Sequence, residues 1–191
     1  MTAAEHHEPL PVPPEQHKRR MAATVQEKKM KTHKTRNDLP SNTKSTVIGL
    51  LNEALASMID LALLPSRHTG TSRVRSSLPC TSFSTASRKL IDNHTDIIAE
   101  RAVQLGGTAL GSLQAVSSTT KLKAYPTDIY KIHDHLDELI ERYGDVANLV
   151  RKSIDEADEA GDASTADIFT AASRDLDKSL WFLEAHVQEK A

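Results

Sequence analysis

Two carboxylates four residues apart, Asp96 and Glu100, are the plainest chemical feature of this chain. On a helix that spacing places both on one face, where like charges repel by about 0.2–0.5 kcal/mol unless a cation or solvent screens them. A cation that accepts oxygen ligands, Fe(II) among them, suits such a pair. On spacing alone, a solvated acidic patch is the better reading. The second feature is a basic run: Lys18, Arg19, Arg20, Lys28, Lys29, Lys31, Lys34 and Arg36. Flexible cations of this kind displace condensed counterions from phosphates, giving salt-dependent binding to nucleic acid without sequence preference. A merely solvated tail is the alternative. His6, His7 and His17 in the same tail, and His94, His133 and His135 further on, read as solvated rather than catalytic. No phosphate-binding loop, dinucleotide fingerprint, zinc spacing or nucleophile elbow is present.

The bulk numbers narrow the class. The 191 residues make one domain plus tails. The net charge is −2, yet it is unevenly spread: residues 18–36 are strongly basic, while 128–159 are acidic. Such asymmetry points to a basic arm for an anionic partner. One cysteine, Cys80, excludes a disulfide framework and fits a reducing compartment. No signal-type apolar core opens the chain and no run approaches the ~20 apolar residues of a membrane span, so a cytoplasmic protein is expected. Met21 and Met30 are plausible alternative starts.

These residues must be positioned by helices. Residues 1–40, broken by Pro9, Pro11, Pro13 and Pro14, are expected to be a disordered basic tail. After Pro40, apolar residues from Val47 to Leu61 recur at helical spacing and predict a helix to about Leu64. A second helix carries Leu90, Ile91, Ile97, Ile98, Ala102, Val103 and Leu105 and stops at Gly106-Gly107. A third follows Pro126-Thr127 and ends before Gly161. A fourth starts near Ser164 or Thr165, with Trp181 expected in the core or an interface. The pattern predicts an all-α, four-helix bundle over 41–191, its long crossover between helices 2 and 3 too long for a hairpin.

Pro65 to Ser87 (PSRHTGTSRVRSSLPCTSFSTAS) breaks this pattern. It has no acidic residue, two prolines and a glycine, and roughly half its positions are Ser or Thr, the composition of a loop or linker.

The remainder resembles a known family. Lys34-Thr-Arg-Asn-Asp38, AERAVQLGGTALGS from Ala99 to Ser112, and TAASRDLDKSLWFLEAHV from Thr170 to Val187 look like the Dps family, DNA-protecting mini-ferritins of starved bacteria. The similarity runs from about Lys34 to Gln188, apart from the aberrant segment. It implies a ferritin-like bundle, a dodecameric hollow shell, Fe(II) oxidation by hydrogen peroxide, storage of ferric iron, and DNA binding through the basic arm in the nucleoid. In that family the iron site lies between two subunits. One supplies histidines and an aspartate from its first two helices; the other supplies an Asp-x-x-x-Glu pair, here Asp96 and Glu100. The family's QAHWN, AVHE and leucine-aspartate elements are absent. Thr69, Thr81 and Thr85 occupy the ligand positions, and His68 is one residue off register.

We read 65–87 as family sequence one nucleotide out of frame; natural divergence is the alternative. In such a shift the first two bases of each observed codon become the last two of a hidden codon. Gly70 then allows Trp, Thr69 and Thr81 allow His, and Thr85 allows Asp. Choosing allowed bases throughout gives TKQAHWNLKGPQFIAVHELLDSF, the same length with ligands in register, and the frame returns at Arg88. Taken literally, the segment should damage the second helix, because an interior Pro79 costs about 3 kcal/mol. It should also cripple the iron site, leaving a non-catalytic DNA-compacting shell as the alternative function.

Overall fold

The computed structural model describes residues 32–71 and 78–188, and side chains outside positions 65–84. Among the described residues five helices follow in order: α1 (Ser41–Thr71), α2 (Leu78–Gln104), α3 (Leu113–Thr119), α4 (Ile132–Glu159) and α5 (Ala163–Gln188). Four long helices form the bundle, and α3 is a short turn within the crossover. Among the described residues there is no strand.

Hydrogen bonds between helix ends set the directions. Thr43 Oγ1, near the start of α1, donates to Ala160 O just past the end of α4 (2.8 Å). His33 N, preceding α1, donates to Gly106 O beyond α2 (2.6 Å). Arg101, late in α2, reaches Asp162 at the start of α5 (2.7 Å). So α1 runs antiparallel to α2 and α4, and α5 antiparallel to α2 and α4. The crossover must therefore travel the length of the bundle. It lies on α1, where Asn52 Nδ2 donates to Thr108 O (3.1 Å), Asn52 Oδ1 accepts from Leu110 N (2.8 Å), and Thr120 donates to Asp60 (2.8 Å).

Two glycines end helices as the sequence indicates. Gly106 (φ +89°) and Gly161 (φ +85°) take the left-handed conformation that L side chains resist. Gly106 N bonds to Val103 O and Gly107 N to Ala102 O; Gly161 N bonds to Asp158 O and Asp162 N to Ala157 O. Each is the paired closing pattern that satisfies the last free carbonyls. At α5 the orphan donors are met by Asp162, whose Oδ1 accepts from Thr165 N (3.1 Å).

The core collects Val47, Ile48, Leu51, Leu55 and Met58 of α1, Ile91, Ile98 and Leu105 of α2, Leu139, Tyr143 and Val150 of α4, and Phe169 and Leu176 of α5. Burial pushes the Tyr143 hydroxyl up to about 12, so it stays neutral, and it shares a hydrogen bond with Ser87.

Several expectations are corrected. Helix α1 continues past Leu64 to Thr71, with Pro65 inside it; proline has no N–H, so the ladder lacks one bond there. Helix α2 begins at Leu78, well before Leu90. Pro79 thereby lies in helical backbone, and the described part of α2 opens at Leu78. Residues 32–40 are not a free tail: beyond the His33 bond, Asn37 Oδ1 accepts from Leu39 N (3.0 Å) and Lys44 donates to Asn37 O. The rest of the arm, residues 1–31, lies outside the described residues. Ser41–Leu64 is long and apolar enough for a membrane span, contrary to the reading of the sequence, but most of it is buried in the bundle.

Candidate functional site

The face of α2 is set by its apolar stripe. Ile91, Ile98, Ala102 and Leu105 turn into the core, each about 1% exposed or less. The helical period then turns Asp96 and Glu100 outward, and both are exposed. Ile97 (44% exposed) and Val103 (57%) flank them, so the carboxylates lie on a partly apolar surface. Just beyond Glu100, Arg101 turns back and donates to both oxygens of Asp162 (2.7 and 3.0 Å) and to Thr165 Oγ1 (3.0 Å). That grip fixes the rotation of α2 at the end that carries the pair.

The expected companion positions are helical. Thr69 lies in α1, and Thr81 and Thr85 lie in α2. The side chains of Thr69, Thr81 and His68 lie outside the described residues; Thr85 is exposed. Among the described residues no group of three or more His, Cys, Asp or Glu side chains converges to hold a metal ion. Within one subunit the arrangement is a pair of exposed carboxylates on one face of α2.

The histidines divide. His133 is exposed, as expected. His94 is not free: its Nε2 lies 2.7 Å from Asp175 Oδ2 across the α2–α5 seam, with only 11% of the side chain exposed. His135 is 2% exposed, because it follows the phase of Leu136 and Leu139 into the core, and its Nδ1 is 2.8 Å from Tyr125 Oη. Burial holds its pKa below the ordinary value. Arg142, 2% exposed, stacks over the Tyr125 ring (5.0 Å) and donates to Ala124 O and to Glu138. This buried cluster ties the crossover to α4, and the sequence reading missed it. The charged neighbourhood of His135 masked its place on the apolar stripe. Trp181, expected in the core or an interface, is 64% exposed in the subunit. Lys34 and Arg36 are exposed on the pinned root of the arm; Lys18, Arg19, Arg20, Lys28, Lys29 and Lys31 lie outside the described residues.

Known proteins place this fold. A ferritin-like domain model matches residues 48–191. The DNA protection during starvation protein of Agrobacterium fabrum is 72% identical over 162 residues, which is 85% of this chain and 100% of that relative. The protein of the same name from Streptococcus suis is 34% identical over 98 residues, covering 51% of this chain and 57% of its own. A Mycobacterium smegmatis Dps structure (tetragonal form) matches with a TM-score of 0.76 at 25% identity, covering 82% of this chain and 94% of that one. DpsC from Streptomyces coelicolor shares the fold, with a TM-score of 0.78 at 21% identity over 82% of this chain and 91% of its own. The fold is ferritin-like and all-α, and the chain belongs to the Dps family.

Proposed function

We propose that this protein is a DNA-binding ferritin of the bacterial cytoplasm and nucleoid. It oxidises Fe(II) with hydrogen peroxide, stores the ferric product inside a twelve-subunit shell, and protects DNA under starvation and oxidative stress. The observation that carries the reading is 72% identity along the whole length of a DNA protection during starvation protein. The exposed Asp96 and Glu100 on α2 support it, as carboxylates turned toward solvent where an incoming cation can reach them.

Iron is here the substrate and cargo. Asp96 and Glu100 hold Fe(II) from one subunit, and a neighbouring subunit's side chains complete its coordination. Peroxide takes one electron from each of two Fe(II) ions, its O–O bond breaks, and two hydroxides form. Using peroxide in this way also removes an oxidant that Fe(II) would otherwise turn against DNA.

A second reading is favoured by one observation: threonines stand at positions 69, 81 and 85, where the family places imidazoles and a carboxylate. Threonine is a poor ligand beside imidazole or carboxylate, so the chain as written is a DNA-compacting shell with a weakened oxidation site. The experiment that tests function compares this chain with one carrying the displaced-frame sequence TKQAHWNLKGPQFIAVHELLDSF at 65–87. Ferric product is followed by near-ultraviolet absorbance after adding Fe(II) and peroxide. The restored chain should oxidise iron much faster, and Asp96→Asn with Glu100→Gln should abolish the gain. Even outer-shell partners of metal ligands are worth about 10- to 100-fold, so loss of both carboxylates should weaken Fe(II) binding at least ~10-fold. Equal rates for the two chains would exclude the damaged-site reading; oxidation unaffected by the double substitution would exclude the pair.

A further inference from the structure

Between Thr119 and Ile132 the crossover forms no regular secondary structure, so side chains must hold it to the bundle. Tyr125 is the only buried residue from 120 to 131. Its ring stacks on His135, with centroids 5.9 Å apart and planes inclined by 15°. Its hydroxyl lies 2.8 Å from His135 Nδ1. Arg142, about two turns further along α4, lies over the same ring (5.0 Å) and donates to Ala124 O (2.9 Å). The one side chain that anchors this strap is therefore seated against an imidazole and a guanidinium.

That seat suits a neutral His135. A ring N–H donates to the Ile129 carbonyl, which leaves Nδ1 to accept the Tyr125 hydroxyl proton. A proton added at Nδ1 would confront that hydroxyl hydrogen. It would also place a second cation beside the ring that Arg142 already covers. The carboxylates that favour the added charge are Asp134 and Glu138 of the same helix, and burial outweighs them. Glu138 is also the partner of Arg142. The carboxylates that α1 presents to the crossover are engaged elsewhere, Asp60 with Thr120 (2.8 Å) and Glu53 with Lys121 (3.3 Å). On the strap itself, Lys123 pairs with Glu141 of α4.

We infer that His135 and Tyr125 form an acid-released latch: protonated His135 expels the Tyr125 ring, and residues 120–131 lift off α4 while the four long helices stay packed. A segment with one buried anchor opens at far lower cost than a core helix. Once the strap is open, His135 regains its ordinary value of about 6.5. Each pH unit below that value then favours the open strap by up to about tenfold, until the lower folded value is reached. The latch sits where α4 begins. Asp96 and Glu100 lie toward the other end of the bundle, where α4 ends and α2 meets α5 through Arg101 and Asp162. Release of the strap therefore leaves the carboxylate pair in place.

Hydroxyl-radical footprinting of the full chain, read by mass spectrometry, tests the latch, because the three tyrosines report separately. Tyr130 is 57% exposed and serves as the exposed standard; Tyr143 is 0% exposed and reports the core. From about pH 7.5 to about pH 5, oxidation of Tyr125 relative to Tyr130 should rise at least about threefold, with Tyr143 unchanged. His135→Gln, neutral throughout this range, should abolish the rise. Tyr125→Phe keeps the ring but loses the hydroxyl that favours neutral His135, so the midpoint of the rise at position 125 should move to higher pH. This second variant keeps the test decisive if His135→Gln folds poorly. No rise at Tyr125, a rise that persists in His135→Gln, or an unmoved midpoint in Tyr125→Phe overturns the proposal. So does a parallel rise at Tyr143, which would mean that acid unfolds the whole bundle.

Discussion

At the scale of single residues, the decisive facts are which polar side chains the bundle buries. His135 is held below its ordinary pKa first by burial, with Asp134 and Glu138 pulling back the other way. The folded chain therefore takes up this proton less readily than the unfolded chain does. Its contribution to stability is complete above the unfolded value of about 6.5, and it is lost as pH falls from there through the lower folded value. The slope for one proton is at most about 1.4 kcal/mol per pH unit. His135→Gln should flatten the fall in melting temperature below about pH 6.5, while lowering stability at neutral pH through loss of the Tyr125 contact. Chemical melts at several pH values check this; an unchanged slope would exonerate His135. Asp96 and Glu100 were legible from spacing because an i, i+4 relation survives in any helix. The burial of His135 was not, since its place depends on which turn of α4 meets Tyr125 of the crossover.

At the scale of elements, α2 carries the carboxylate pair, and a buried ion pair ties it to the start of α5. Asp162 is 2% exposed, accepts from Arg101, and also accepts from Thr165 N and Oγ1 (3.1 and 2.6 Å) at the start of α5. Removing one partner of a buried pair leaves the other charge uncompensated, at a cost of about 3–5 kcal/mol. Asp162→Ala should therefore destabilise by about that amount, and Asp162→Asn by less, because the amide oxygen keeps the cap. Denaturant titration measures both; equal losses would show that the charge rather than the cap matters. The helix ends at Gly106 and Gly161 were readable in the sequence, because a left-handed terminal residue selects glycine locally. The start of α2 was not. The Ser/Thr-rich composition of 65–87 argues for a loop, yet residues 65–71 and 78–87 have helical backbone.

At the scale of the molecule, the proposed arm and the proposed shell would act together. The arm's root is fastened at the end of the bundle where α1 begins and α2 ends, with Lys34 and Arg36 exposed. A shell of twelve subunits would present twelve such roots, so weak phosphate contacts would add by avidity. Deleting residues 1–36 should abolish a DNA gel shift, and the intact protein's affinity should fall steeply as salt rises. Retention of the shift after deletion, or its survival in high salt, would contradict the arm. Size-exclusion mass of the truncated protein would separate a DNA-binding defect from failed assembly.

The sequence alone determined the fold class, the number of long helices, the crossover, the carboxylate pair and the family resemblance. These follow from short-range periodicity, glycine stops and contiguous motifs, which need no knowledge of what packs where. It also exposed the aberrant segment, because codon arithmetic is independent of conformation. Only the tertiary structure decided that α2 begins before the segment ends, that Arg101 locks to Asp162, that His94 and His135 are engaged rather than solvated, and that Ser87 is buried against Tyr143. Each depends on contacts between residues distant in the chain, from the 10 positions separating Tyr125 and His135 to the 81 separating His94 and Asp175. No local pattern encodes which of many possible partners a folded surface will bring within reach.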